Sequence, residues 1–214
     1  MQGLHIRYPE SYATLAGAKK LIKKFGYPLI VKPRGGYGGY KKICLIHNLK
    51  ELKSAYKNFK NQIFQEYINN KKNEEYTIGL FLDKNSKVLG SIAMLRRLRF
   101  SMTWHAIIDD YPDVTKTAIQ AAETVGAIGP TNVQLRRDKN NKPVVIEINS
   151  RISSTAIFRA KLGFNEAEAS LDYFFKQKRP SLTYRKATAM RIWDELVVPT
   201  EKYYELKKRG QIIN

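Results

Sequence analysis

Between Asn132 and Asn149 apolar and polar residues alternate on both sides of a polar stretch, Asp138 to Pro143, and this pattern constrains the chain more than any other feature. Two β-strands joined by a turn are predicted, Asn132 to Arg137 and Val144 to Asn149. If the six turn residues form a symmetric loop, Arg137 pairs with Val144, Gln134 lies opposite Glu147, and Asn132 lies opposite Asn149. Side chains alternate across a strand, so Val133, Leu135, Ile146 and Ile148 share one face while Gln134, Arg136, Glu147 and Asn149 share the other. The apolar face belongs to a core. The polar face has two readings, an ordinary solvated surface or a set of oxygen ligands with the fixed cation of Arg151 beside it. Magnesium favours hard oxygen donors and takes only one or two protein carboxylates when phosphates complete its shell.

A second feature carries the same ambiguity. The run Lys32-Pro33-Arg34-Gly35-Gly36-Tyr37-Gly38-Gly39-Tyr40 reads either as a plain turn or as a loop whose backbone N–H groups approach phosphate oxygens. It lacks the Gly-Lys-Ser/Thr ending of a P-loop, and a strand rather than a helix follows, which excludes the dinucleotide fingerprint. Lys32 precedes a proline, so an extended backbone is favoured there and its ammonium can aim at the same phosphates.

The remaining pattern describes an α+β chain. A helix is predicted from Ser11 to Phe25, a strand at Leu29 to Val31, a strand at Ile43 to Ile46, a helix from Leu49 to Phe59 and a strand at Ile63 to Ile68. Strands follow at Glu75 to Leu82, Val88 to Leu95 and Arg99 to Ile107, then a helix from Asp113 to Val125 ahead of the hairpin. Helices near Ser154 to Lys161 and Glu166 to Phe175 and a strand near Ala187 to Trp193 complete the reading. Two α+β lobes fit better than one sheet, with boundaries at 1–66 and 67–214.

Composition excludes several classes. The single cysteine, Cys44, rules out an internal disulfide framework and, within Ile43-Cys44-Leu45-Ile46, reads as a buried small hydrophobe. His5, His47 and His105 stand in no metal-ligand spacing. Met1 to Pro9 has no signal-like apolar run, and no stretch approaches the ~20 apolar residues of a membrane span. A cytoplasmic protein without a membrane partner is expected. The formal net charge of +19 favours anionic partners. Its basic residues read as spread over solvated surface, and no zinc-knuckle, RNP-type or helix-turn-helix signature accompanies them, so nucleic acid is not an expected partner.

The order of Val31-Lys32-Pro33, the glycine loop, Gln65-Glu66-Tyr67-Ile68, Glu75-Tyr76-Thr77, Asn132-Val133-Gln134 and Glu147-Ile148-Asn149-Ser150-Arg151 resembles the ATP-grasp superfamily. Within it the chain is most similar to the nucleotide-binding domains of the carbamoyl-phosphate synthase large subunit and related carboxylate-amine ligases, over about Tyr8 to Phe175. The resemblance implies an ATP-grasp fold of two lobes with nucleotide between them, and ATP with Mg2+, or Mn2+ in its place, as cofactors. It assigns Lys32 to nucleotide phosphates and Gly35, Gly36, Gly38 and Gly39 to a lid over them. Gln65, Glu66, Tyr67 and Ile68 become the hinge that reads adenine, Glu75 a ribose ligand, and Gln134, Glu147 and Asn149 the metal ligands. Arg151 becomes the catalytic cation at the transferred phosphoryl group, with Arg97 or Arg99 as a weak assistant.

The implied activity is ATP-dependent ligation, in which a small-molecule carboxylate becomes an acyl phosphate and an amine or other nucleophile captures it. Only about eight residues precede Tyr8-Pro9-Glu10-Ser11, so the N-terminal Rossmann-like domain of relatives is expected to be absent. That leaves a noncatalytic ATP-binding module, or part of a split carbamoyl-phosphate synthase-like enzyme, as alternatives. A separate subunit carrying that domain and a homo-oligomer are the corresponding partners.

Overall fold

Two antiparallel sheets organise the chain, and each owes its position to a different set of helices. The computed structural model describes residues 6–34, 43–58, 61–69, 74–100, 102–192 and 199–210. The first sheet comprises β1 (Ser11–Tyr12), β2 (Leu29–Pro33), β3 (Cys44–Ile46) and β4 (Gln62–Glu66) in the order β1-β4-β2-β3. Helices α1 (Leu15–Phe25) and α2 (Leu49–Asn58) pack on one of its faces. The second sheet has six strands, β5 (Glu75–Leu82), β6 (Val88–Arg99), β7 (Met102–Ile108), β8 (Gly129–Arg137), β9 (Pro143–Asn149) and β10 (Ala187–Met190), ordered β10-β7-β6-β5-β8-β9. Helix α3 (Pro112–Thr124) covers one face, and α4 (Ala156–Leu162) with α5 (Glu166–Ser170) covers part of the other. A π-helical turn, Leu171–Phe175, continues α5, and α6 (Thr200–Lys208), unassigned in the sequence reading, follows β10. The fold is α+β, as the residue pattern predicts.

Local chemistry explains the boundaries. The Thr14 hydroxyl accepts from the Gly17 N–H at 3.1 Å and starts α1 four residues later than expected. Ser11 and Tyr12 pair instead with Gln65 and Phe64. Gly17 is required by that arrangement, since a Cβ there would sit 2.2 Å from the Tyr12 Cβ. Gly26, at φ 79°, ends the helix with its N–H on the Ile22 carbonyl. Asn48 and Glu51 cap α2 reciprocally: Asn48 Oδ1 accepts from the Glu51 N–H at 2.9 Å, and the Glu51 carboxylate accepts from Asn48 Nδ2 and the His47 N–H. Phe59, the expected last residue of α2, and Trp193, the expected end of β10, lie outside the described residues.

Two expectations are corrected. Residues 88–99 form one long strand rather than breaking at Leu95, because β6 pairs with β5 from Val88 to Arg96, with one irregularity after Val88, and with β7 from Met94 to Arg99. Cys44 is exposed rather than buried: β3 is an edge strand, and only Ile46 of its residues reaches the core. Among the described residues no helix is long and apolar enough to cross a membrane.

The face of the second sheet under α4 and α5 contains a buried polar network. Arg159 is 0% exposed and donates to Glu166 Oε1 at 2.8 Å and to Asn132 Oδ1 at 2.5 Å, while Thr77 Oγ1 donates to the same Asn132 oxygen at 2.7 Å. Gly79 makes room for the guanidinium, because a Cβ there would lie 2.5 Å from Arg159 Cζ. Burial pushes Arg159 down and Glu166 up, and their mutual attraction opposes both shifts. Breaking such a pair from one side strands a charge. Arg159→Met is therefore expected to cost about 3–5 kcal/mol in urea unfolding, whereas Arg159→Met combined with Glu166→Leu costs less than the sum of the two single changes.

Candidate functional site

Alternation along the first sheet separates its two faces. Leu29, Val31 and Phe64 lie in the core under α1 and α2, whereas Ile30, Lys32 and Gln65 point the other way. That second face, with the half-exposed Ile43 and Leu45 of β3, forms one wall of a cavity of about 370 Å³. The opposite wall belongs to the second sheet: Glu75, Leu98, Gln134, Arg136, Ile146 and Glu147. Tyr67 and Ile68, on the connection between the sheets, also line the cavity. The volume suits a small molecule, and the wall mixes apolar surface with a few convergent polar groups.

The hairpin's inner half keeps the predicted register, with Gln134 opposite Glu147 and Asn132 opposite Asn149. Its outer half does not. Arg137 pairs with Pro143 rather than Val144, and the ladder shifts between Gln134 and Leu135. A tight turn is the reason, since Asp138 Oδ1 accepts from the Asn140 and Lys142 N–H groups and Asn141 adopts φ 63°. The residue left over on β9 is Ile146, which the bulge turns into the cavity, away from Val133, Leu135 and Ile148.

Glu147 is exposed and makes no hydrogen bond or ion pair among the described residues. Lys32, on the facing wall, is half-buried and likewise has no hydrogen-bond or ion-pair partner among them. Burial pushes its ammonium below the usual lysine range, and the Glu147 charge opposes that shift. Gln134 Oε1 accepts from Arg96 Nη2 at 2.9 Å. Asn149, two residues beyond Glu147 on the same side of β9, accepts from Arg151 Nη2 at 3.4 Å, and its Nδ2 is buried without a partner. Arg151 is exposed and, like Asn149, is not among the residues that line the cavity; it donates to the Ile152 carbonyl and to Asn149. Among the described residues no three His, Cys, Asp or Glu side chains group as a metal site. A divalent cation here would rest on one carboxylate, amide oxygens and the oxygens of its ligand.

The expected hinge and ribose residues are engaged within the protein. Each Glu66 oxygen is held, one by Arg7 and the other by the Glu10 N–H at 3.2 Å, and Gln65 Nε2 donates to Ser11 Oγ at 2.8 Å. Glu75 pairs with both Arg96 and Arg136; burial alone would raise its carboxyl, but the two guanidinium groups outweigh burial and hold it below the usual range. Arg136 also donates to the Ile68 carbonyl at 3.4 Å and lies over the Tyr67 ring. Gly35, Gly36, Gly38 and Gly39 lie outside the described residues. Arg97 is exposed opposite His105, and Arg99 stacks on Trp104 at 4.9 Å. The arginines that reach the cavity's polar wall are Arg96 and Arg136, which the sequence reading left without a role. The signal was their placement directly opposite Glu75.

Residues 58–194, more than half the chain, match a family described as "ATP-grasp in the biosynthetic pathway with Ter operon". The chain belongs to the ATP-grasp family. No curated protein matches the sequence. Among solved structures, the ATP-grasp chain is similar to N5-carboxyaminoimidazole synthetase from Staphylococcus aureus complexed with ADP, at TM-score 0.71 and 21% identity, over 88% of this chain and 52% of that one. The biotin carboxylase domain of 2-oxoglutarate carboxylase from Hydrogenobacter thermophilus, in complex with MgADP, ADP and bicarbonate, gives TM-score 0.64 at 18% identity, over 86% and 45%. L-amino acid ligase from Bacillus licheniformis gives 0.56 at 22%, over 80% and 43%. The ATP-grasp chain thus spans about half the length of these structures, which share its fold.

Glu75→Gln tests the charge cluster through pH. A carboxyl held below its unfolded value contributes stability above about pH 4.3, and that contribution fades as pH falls through its folded pKa. The stability gap between wild type and Glu75→Gln in urea unfolding should be widest near pH 7 and narrow steadily below pH ~4.

Proposed function

We propose that the cavity between the two sheets binds MgATP and that the chain is an ATP-dependent ligase, activating a carboxylate as an acyl phosphate for capture by an amine or other nucleophile. The observation that carries this reading is a pair of charges without hydrogen-bond or ion-pair partners among the described residues, the half-buried Lys32 ammonium on one wall and the Glu147 carboxylate on the other. An ammonium withdrawn from water and left without a carboxylate is suited to phosphate oxygens, and a carboxylate left free is suited to a divalent cation. Ile30, Leu45, Leu98 and Ile146 provide apolar surface for a base, with the backbone of Tyr67 and Ile68 at its edge.

Glu147, with the amide oxygens of Gln134 and Asn149, would hold the metal, and Glu75 lies on the wall where ribose hydroxyls would approach. The cation, when bound, supplies charge neutralisation at the phosphates. In this reading Lys32 holds the triphosphate, and Arg151, beside Asn149, would stabilise the transferred phosphoryl group as a substrate carboxylate oxygen attacks the γ-phosphorus and ADP departs. The second nucleophile then attacks the acyl carbon, and inorganic phosphate leaves. Among the relatives described above, the enzymes named as synthetase, carboxylase and ligase support an activity of this kind.

A second reading, a nucleotide-binding module without turnover, draws on Gln134: its amide oxygen is already held by Arg96 and would have to be released to reach a metal. ADP formation by the purified chain over a panel of carboxylates with amines separates the two, because MgATP binding without turnover under every combination supports the module. For the site itself, Lys32→Met should weaken MgATP binding in titration calorimetry by about 10- to 100-fold, the worth of a charge-assisted hydrogen bond. Glu147→Gln should remove most of the difference between ATP with and without Mg2+ while leaving the circular dichroism spectrum unchanged. If both variants bind MgATP as wild type does, the site is elsewhere.

A further inference from the structure

Lys32 and Arg136 line the cavity, and the fold shows where much of the remaining basic charge collects. Residues 1–66 contain thirteen Lys and Arg against three Asp and Glu, so this part of the chain, less than a third of its length, holds +10 of the net +19. The three acidic groups are all consumed internally: Glu10 pairs with Lys24, Glu66 with Arg7, and Glu51 caps α2. The distribution is therefore not diffuse, as the sequence alone suggests, but concentrated beside the first sheet.

Helical geometry then sorts the lysines. On α2, Leu52 and Ala55 are buried, and Lys50, Lys53 and Lys57 project within an arc of about 60° on the opposite side. On α1, Gly17, Ala18 and Leu21 are buried, and Lys19, Lys20 and Lys23 project oppositely within about 100°. All six are exposed, and none forms an ion pair among the described residues. Both helices pack through one apolar cluster onto the same face of the sheet, so the two lysine rows point outward together. The cavity lies on the opposite face, where Ile30, Lys32 and Gln65 point.

We propose that this outer face of α1 and α2 binds the phosphate backbone of a nucleic acid, separately from the cavity. On α2 the ammoniums follow one another every ~4.5–6 Å of helical rise, and on α1 every ~1.5–4.5 Å, spacings comparable to a polymer carrying a phosphate roughly every 3.4 Å per strand. Lysine ammoniums are point charges that suit phosphate contact without demanding a fixed planar geometry. Within the two lysine arcs the apolar surface is the small Ala16 methyl, and the larger exposed apolar groups Phe25, Leu49 and Tyr56 fall outside them, which disfavours insertion of this face into a lipid layer. Nothing on the face reads base edges, so recognition is of charge and spacing, independent of sequence.

The test is fluorescence anisotropy of the full chain with fluorescein-labelled 20-base-pair RNA and DNA duplexes between 50 and 200 mM KCl. Affinity for either duplex should fall linearly with salt on logarithmic axes. Lys19→Gln/Lys20→Gln/Lys23→Gln and Lys50→Gln/Lys53→Gln/Lys57→Gln should each lower that slope by about 2–3 and weaken binding at least tenfold at 100 mM. A control of equal charge, Lys139→Gln/Lys142→Gln/Lys161→Gln, should stay within twofold of wild type. MgATP binding should be the same in all three variants, so its loss in wild type would count against the cavity and not against this face. Equal weakening by the control, no duplex binding at 50 mM, or binding confined to phosphatidylserine vesicles would each overturn the proposal.

Discussion

One carboxylate holds the centre of the second sheet to the connection between the sheets. Glu75 receives Arg96 from β6 and Arg136 from β8, the two strands that flank its own, and Arg136 continues to the Ile68 carbonyl and the Tyr67 ring. The geometry of the cavity's polar wall follows from this cluster. Arg96, fixed by Glu75, also orients Gln134, so the amide presented to the cavity is set by a charge pair rather than by its own rotamer preference. The two guanidinium groups on this wall offset the carboxylates of Glu75 and Glu147, and Lys32 on the facing wall adds the positive charge that complements an anionic ligand.

A second tie runs through the N-terminal segment. The Val145 N–H donates to the Arg7 carbonyl at 2.9 Å, while Arg7 and the Glu10 backbone engage Glu66, and Ile6 is buried against the second sheet's core. Residues 6–10 therefore touch both sheets, as does the connection at 67–69. The cavity is bounded by two crossings of the chain, each anchored by a charged group, and Glu66 serves this anchoring instead of standing free for a ligand.

Much of this was legible in the sequence, and the parts that were not share a cause. The pairing of Gln134 with Glu147 could be counted because period-two alternation ties parity to burial, and the strand Glu75 to Leu82 has the bounds that the residue pattern predicts. The start of α1 was misplaced because Ser11 and Thr14 are both good caps, and only pairing of Ser11 with Gln65 in space decides between them. Arg96 and Arg136 went unrecognised because their significance lies in facing one carboxylate from two strands, a relation between segments far apart in the chain. The charge on residues 1–66 looked scattered until the two helices were seen to share one face. Gly35 to Gly39 stay with the sequence argument, outside the described residues.

The extra residue at Ile146 also separates two parts of the hairpin that would otherwise be coupled. In an unbroken ladder, a one-residue slip imposed by the Asp138 to Lys142 turn would move every side chain beyond it to the other face, and Glu147 would swap sides with Ile148. With the irregularity placed between turn and polar pairs, slack on the solvent side can be taken up at that point. The tip is thus free to vary in length and composition through evolution, while the business end of β9 keeps its orientation.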